Sequence, residues 1–596
     1  MSSSRLQSYH FGPFQLDVSD RVLLREGESI ALTPKAFDLL LALVESRGHL
    51  LSKETLIRQV WPKTFIEENN LAVHISILRK VLGEASNGIE YIKTWPRRGY
   101  SFVANVLEAP AEEISTSTLR SMAVLPFRVI SSDAGDDYLG VGMSDAIITR
   151  LTQLTQIAVR PTSAVLKYAA VEIDPVEAGK QLGVDAILSG RMTRAGDQIR
   201  VTVQLTAVVS NSLLWADKLD YSFTDIFTFE DFISEHVARA LRLELSGDQI
   251  DRLTKRHTVN SAAYSAYLKG RYHWGKRSPE SFKKAMEYFQ YASEKDPNYS
   301  LAYSGLADCY TLLNYYGAMP AAVGMSQAKA AALKALEADE DLAETHASMA
   351  LTKFWYDWDW LGAEIEFERA IELNPAYATA RQWYCWYLAA MGRQVESLEE
   401  GKRALELDPQ APAINMALGK SYLFSKLYEE SIQQCKRTLV LHAGFIPAHY
   451  FLGQAYEQKG LYDEAIAEYR VAVDLSGASP LGRSILAKAT ARAGRIDEAE
   501  RTLHTLLELL DAGQEYVPAY GIALIYLGLG DSNRAIEWLR KAFDERFIWL
   551  VYLKVDPVFD GLRGEPDFDK LVERMKFPNP PTREAGPARL LKLMRY

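Results

Sequence analysis

Cysteine is scarce. Cys309, Cys385 and Cys435 are the only three in 596 residues, and no C-x-x-C pair occurs. That spacing excludes a disulfide framework and a cysteine zinc site, and it fits a reducing compartment. Long apolar runs are missing as well. The start, MSSSRLQSYHF, has no signal-peptide core, and LLLALV (Leu39 to Val44) is too short to cross a bilayer. A cytoplasmic protein without a membrane anchor is expected. There is no H-E-x-x-H, no G-x-S-x-G and no close carboxylate pair with a partner histidine. No enzyme is therefore expected, and neither a cofactor nor a metal is implied. GRYHWGKR (Gly270 to Arg277) imitates a phosphate-binding loop. Arg277 stands where the magnesium-binding Ser or Thr belongs and no strand precedes it, so nucleotide binding is not expected there.

Positive charge is also short, with a net balance of −10. The average conceals a local excess. Residues 69–102 hold Arg79, Lys80, Lys93, Arg97 and Arg98 against Glu84 and Glu90. Contact with phosphates needs such a patch rather than a basic whole.

What is present falls into three regions. Residues 1–107 open with short alternating strands, FQLDV and RVLLR. LTPKAFDLLLALV then predicts a helix capped by Thr33, with Pro34 in its first turn and Phe37, Leu40, Leu41 and Val44 on one face. LSKETLIRQVW predicts a second helix capped by Ser52, and NNLAVHISILRK a third, capped by Asn69 or Asn70. IEYIKTW and YSFVANV read as strands joined by PRRG. Residues 108–121 are polar and aperiodic, and read as a linker. Residues 122–250 alternate strands and helices, which implies an α/β domain closed by the helix FEDFISEHVARALRLEL.

From 264 to 576 the chain repeats. Ala363, Ser397, Ser431, Ala465 and Ala499 recur at steps of 34, as do Gly392, Lys426, Gly460 and Gly494. Small residues at that period mark tetratricopeptide helix pairs stacked into a solenoid. The pattern is interrupted by a loop insertion at NYYGAMPAAVG and ends irregularly at DPVFDGLRGEPDF. Residues 577–596 read as a tail. The aromatic runs FWYDWDW and RQWYCWYL read as packing between repeats, with a remainder free to line the concave face and hold a peptide.

The third helix carries two faces. At 100° per residue, Leu71, Ile75, Leu78 and Leu82 form one stripe, which predicts core. Asn69, Val73, Ser76 and Lys80 fall opposite, with Ala72, Arg79 and Ile77 on the flanks and His74 at the stripe's edge. Val73 and Ile77 suit thymine methyls, Asn and Ser suit base edges, and Arg79 and Lys80 suit phosphates. The turn bearing Arg97 and Arg98 projects as a basic wing. Helix plus wing predicts a winged helix-turn-helix, so the fold class is multidomain: an α+β winged helix, an α/β middle domain and an all-α solenoid.

The segments LTPKAFDLLLALVESRGHLLSKETLIRQVW, NNLAVHISILRKVLG and IEYIKTWPRRGYSFV resemble the OmpR/PhoB-type winged-helix regulators, a phosphorelay family, over residues 8–106. The resemblance implies that the third helix enters the major groove of double-stranded DNA and the wing its minor groove. Asn70, His74, Ser76 and Arg79 match contact positions of the helix, and Arg97 and Arg98 match the wing. It also implies that the loop PKTFIEE meets RNA polymerase, and it leaves a dimer on DNA as a further expectation. Ser76 and Ile77 depart from the basic residues of many relatives. The domain order resembles CadC-type regulators without the membrane segment. The second region, from MAVLPF through GVDAILSGRMTRAGDQIRVTVQL, resembles the TolB amino-terminal domain. The expected function is signal-dependent transcription regulation, with a protein or peptide held by the repeats. The alternative is an interaction scaffold whose winged helix no longer binds DNA.

Overall fold

The computed structural model describes residues 7–578, apart from 18–21, 26–27, 31, 47, 61–67, 84–89, 97, 105, 111–118, 132–136, 153, 155, 170, 196–197, 223–225, 242–254 and 514. The chain divides into two compact units, Met1–Thr118 and Leu119–Tyr596.

In the first unit, strands β1 (Gln7–Phe11), β2 (Phe14–Asp17), β3 (Val22–Arg25) and β4 (Glu28–Ile30) run as an antiparallel meander. Their alternation puts Tyr9, Phe11, Phe14, Leu16 and Leu23 into the core. Helices α1 (Pro34–Glu45), α2 (Lys53–Val60) and α3 (Glu68–Leu82) follow, then the hairpin β5 (Ile92–Trp95) and β6 (Gly99–Phe102). The predicted caps form. Ala36 N–H donates to Thr33 Oγ1 at 3.3 Å, and Thr55 N–H to Ser52 Oγ at 3.1 Å.

Two expectations need correction. Helix α3 begins at Glu68, so Asn69 and Asn70 lie in its first turn and neither is its cap. The segment read as a linker opens with a strand, β7 (Leu107–Pro110), paired antiparallel with β1. The free edge of β1 takes it up because backbone groups at a sheet edge seek partners. No local pattern announces such a pairing.

In the second unit, β8 (Ser121–Val124), β9 (Arg128–Ser131), α4 (Asp137–Leu151), β10 (Ala158–Val159), α5 (Thr162–Val165), α6 (Pro175–Leu182), β11 (Ala186–Ala195), β12 (Gln198–Ala207), β13 (Ser212–Ser222) and α7 (Ile226–Ala240) build the α/β part. The sheet order is β10-β8-β11-β12-β13, with β9 also on β11. β8 is parallel to its neighbours β10 and β11, and crossover helices supply those connections. β11, β12 and β13 are antiparallel. The sequence reading missed β13. Its polar residues Asp217, Lys218 and Asp220 leave a largely exposed strand with a weak signal.

Helices then alternate from Ser261 to Asp544. Ala363, Ser397, Ser431, Ala465 and Ala499 are all fully buried where paired helices touch. Gly392, Gly460 and Gly494 close helices with φ near +80°, and Lys426 takes the same left-handed turn at +61°. The α/β part and the repeats were expected as separate domains. The hydrophobic core of the α/β part continues into the first repeats, as far as Met349. Gly142 in α4 admits helix Ser261–Gly275 so closely that a Cβ there would lie 2.8 Å from that of Leu268. Asp145 in α4 accepts from Arg271 Nε at 3.0 Å. Gly270–Arg277, the imitation phosphate loop, is thus mostly helix, and its Arg271 serves this junction.

Candidate nucleic-acid interface

The core stripe of α3 lies where periodicity puts it. Leu71, Ile75, Leu78 and Leu82 are buried, each contributing about 1.5–3 kcal/mol. The opposite face is open. Val73 is 57% exposed and Ile77 38%, and Ala72, Ser76 and Lys80 are exposed beside them. His74 is half-buried at the boundary. The side chains of Asn69 and Asn70, although their backbone is helical, lie outside the described residues.

Arg79 reaches from the helix end to the hairpin. Its Nε and Nη2 donate to the carbonyl of Ile92 at 3.2 and 2.7 Å, and Nη2 also donates to Thr94 Oγ1 at 2.7 Å. Glu90 Oε2 sits 3.2 Å from Nε. A guanidinium fork suits a carbonyl and its neighbours at fixed geometry. The helix end and the wing are therefore tied by Arg79 through Nε and Nη2.

The wing is held from its other side too. Leu51 and Tyr100 exchange N–H···O bonds at 2.9 and 3.0 Å, stitching β6 to the chain between α1 and α2. Gly99, at φ +144°, permits the approach. A Cβ there would fall 1.9 Å from the Leu51 carbonyl oxygen. Trp95 Nε1 donates to Ser101 Oγ at 3.0 Å, and Lys93 Nζ lies 4.5 Å from the Trp95 ring centre. Arg98 is exposed at the tip, its N–H bonded to the Trp95 carbonyl at 3.0 Å. Arg97 lies outside the described residues, as do Pro62–Glu67 of the polymerase-loop reading and Trp61. Lys93 belongs to the basic patch but had not been singled out. Alternation along β5 could have found it, since it shares the exposed side of Trp95.

A helix with an uncovered small-and-apolar face, locked to a cationic hairpin, is the arrangement that enters a groove. Residues 27–102 match the family described as "Transcriptional regulatory protein, C terminal". This domain is an OmpR/PhoB-type winged helix. Behind it, residues 117–235 match "HilA/YgeH-like transcriptional regulator, second domain" where the sequence reading expected a TolB-like module. Residues 416–480 and 519–546 match tetratricopeptide repeats. The transcriptional regulator HilA of Salmonella typhimurium is 26% identical over 413 residues, 68% of this chain and 72% of that one. "Putative adenylate cyclase 3" of Rhizobium meliloti is 27% identical over 44% of this chain and 45% of its own. The transcriptional activator CadC of Escherichia coli is 29% identical over 22% of this chain and 26% of its own. The winged helix thus stands at the front of a regulator's domain order, and the matches do not favour the scaffold alternative. Among the described residues no helix is long and apolar enough to cross a membrane.

The repeats present a face of another kind. The aromatic runs pack between repeats, and in places against the chain's own end. Tyr315 stacks on Trp386 at 5.6 Å, and Trp386 on Trp355 at 5.7 Å. Lys420 Nζ lies 3.6 Å from the Tyr552 ring centre, Gln454 Nε2 donates to Asp556 Oδ1 at 2.6 Å, and Trp360 Nε1 to the Met575 carbonyl at 3.1 Å. Burial pushes Lys420 down to about 7 and Asp556 up to about 6. Every one of these repeat residues except Trp360 and Trp355 sits on the first helix of its pair. Tyr552, Asp556 and Met575 of the later segment thus contact Lys420, Gln454 and Trp360 of these repeats.

Proposed function

We propose that the protein regulates transcription from the cytoplasm by docking the α3 face of Ala72, Val73, Ser76 and Ile77 in a major groove. Arg98, Arg97, Lys93 and Lys80 supply phosphate or minor-groove contacts, with Asn69, Asn70 and His74 at the helix's entry and edge. The supporting observation is the exposure of Val73 and Ile77 beside a wing that Arg79 holds in place. A solvated face rarely exposes two such side chains together, whereas thymine methyls can cover them. In this reading the repeats bind a protein partner, and the protein performs no catalysis of its own. RNA polymerase, met through residues 62–68, and a second copy on DNA are its further partners.

The test is fluorescence anisotropy of the intact chain on duplex DNA selected from random sequence, across a salt series. The reading requires affinity to fall linearly in log–log form as salt rises, because bound cations release counterions. Binding indifferent to salt and to duplex sequence would overturn it.

A further inference from the structure

Strand β13 runs for 11 residues, and its outer edge pairs with no strand among the described residues. Hydrogen bonds deeper in the sheet fix which of its residues face that edge. The Leu188 carbonyl in β11 accepts from Leu125 N–H at 2.8 Å, so even-numbered residues of β11 turn their backbone groups to the β8 side. Odd-numbered ones face β12. Through the registers Leu188↔Leu205 and Leu205↔Trp215, odd residues of β12 face β13, and odd residues of β13 face back. Ala216, Lys218 and Asp220 therefore point their N–H and C=O groups at the outer edge. The Lys218 N–H agrees with this phase: it donates to Asp217 Oδ1, on its own strand, at 2.7 Å.

The side chains of the same three residues stand on one face of the sheet, and all three residues are exposed. The other face is taken by α7. There the Trp215 ring centre lies 6.3 Å from that of Phe232, and Tyr221 5.6 Å from Phe229. Arg200 on β12 fixes Asp220 in place, donating from Nε to Oδ1 at 2.6 Å and from Nη2 to Oδ2 at 3.0 Å. The exposed edge thus carries a cation and a carboxylate two residues apart.

We propose that β13 pairs edge to edge with β13 of a second copy of this chain, antiparallel about a two-fold axis at Leu219. An unpaired strand edge is a template for another strand. The charges select the partner and the register. Centred on Leu219, the pairing sets Lys218 opposite Asp220 of the second copy, and Asp220 opposite its Lys218. Centred on Lys218 or on Asp220, it would set like charges face to face, which destabilises a sheet. A two-fold contact must be complementary to itself, and a cation and a carboxylate on either side of the axis meet that condition. The Asp217 carboxylate has to leave the Lys218 N–H before the strands meet, which makes the pairing weaker than that of a bare edge. This interface deepens the proposed function by placing its second copy. It needs no DNA, so it can fail while groove docking stands.

Sedimentation equilibrium of the intact chain without DNA, over a concentration series, tests the pairing. The native chain is expected to dimerise. Lys218→Glu and Asp220→Lys are each expected to weaken the dimer about tenfold, because each turns two cross-strand attractions into repulsions. Mixed in equal amounts, the two variants are expected to recover most of the native affinity, since both contacts then join opposite charges again. Both positions are exposed, and circular dichroism should find both variants folded. A native chain that stays monomeric, single variants that dimerise as tightly as the native chain, or a mixture no tighter than its components would each overturn the assignment.

Discussion

The Arg79 guanidinium grips the Ile92 carbonyl with two N–H groups, Nε at 3.2 Å and Nη2 at 2.7 Å. One arginine thereby sets the angle between helix and wing. Arg79→Ala is expected to destabilise the winged helix by about 1.5–3 kcal/mol, the usual worth of hydrogen bonds to a charged group. Arg79→Lys should recover little, because an ammonium cannot fork. Urea unfolding of both variants measures this, and DNA affinity should fall in step with the lost order.

Arg98 is expected to act through charge alone. Arg98→Ala should reduce the slope of log affinity against log salt by about one and weaken all sequences alike. Arg79→Ala should leave that slope unchanged. The contrast, read from two salt titrations, separates a phosphate contact from a residue that positions the wing.

Val73 and Ile77 are expected to read methyl groups. Replacing thymine by uracil within a selected site should weaken the native protein about fourfold for each buried methyl lost, from roughly 0.8 kcal/mol. Ile77→Ala should be less sensitive to the same replacement at its own position. An equal response by both proteins would remove Ile77 from base reading.

The core of α3 was legible because burial of Leu71, Ile75, Leu78 and Leu82 follows from a local period. The hairpin was legible from Trp95 through Gly99 for a similar reason. The bond from Arg79 to the wing was not legible, because a cation at a helix end looks alike whether or not it also reaches a carbonyl thirteen residues away. The β1–β7 pairing, the α4 contact with Leu268 and the returning segment at Tyr552 are non-local as well. Pairing and packing over such separations leave no period behind, so they emerge only in three dimensions.

Inside the repeats, Lys488 Nζ lies 2.7 Å from Glu457 Oε2, and both side chains are almost wholly buried. Tyr469 donates its hydroxyl to the same carboxylate at 2.6 Å. Lys488→Met should cost about 3–5 kcal/mol, since it strands a buried charge. Adding Glu457→Gln should recover part of that loss. Thermal unfolding of the single and double variants measures both.

His449 bridges Glu468 Oε2, 2.6 Å from Nδ1, and the Ala443 carbonyl, 2.9 Å from Nε2. Burial alone would lower its pKa, but these two acceptors outweigh it and leave the value raised. The raised folded pKa means that the contribution is fully present below the unfolded value near 6.5 and is lost as pH rises through the folded one. His449→Gln should therefore destabilise the repeats more at pH 6 than at pH 9, as measured by denaturant titration at both.

Genome-wide footprinting of the intact protein, beside Ala72→Glu, tests the central claim most directly. Ala72 is exposed on α3, so the added carboxylate leaves the core alone and meets only what covers that face. Discrete protected sites for the native chain, absent for Ala72→Glu, are the expected result. Protection at the same sites by both proteins, or at none by either, would contradict a groove-reading α3.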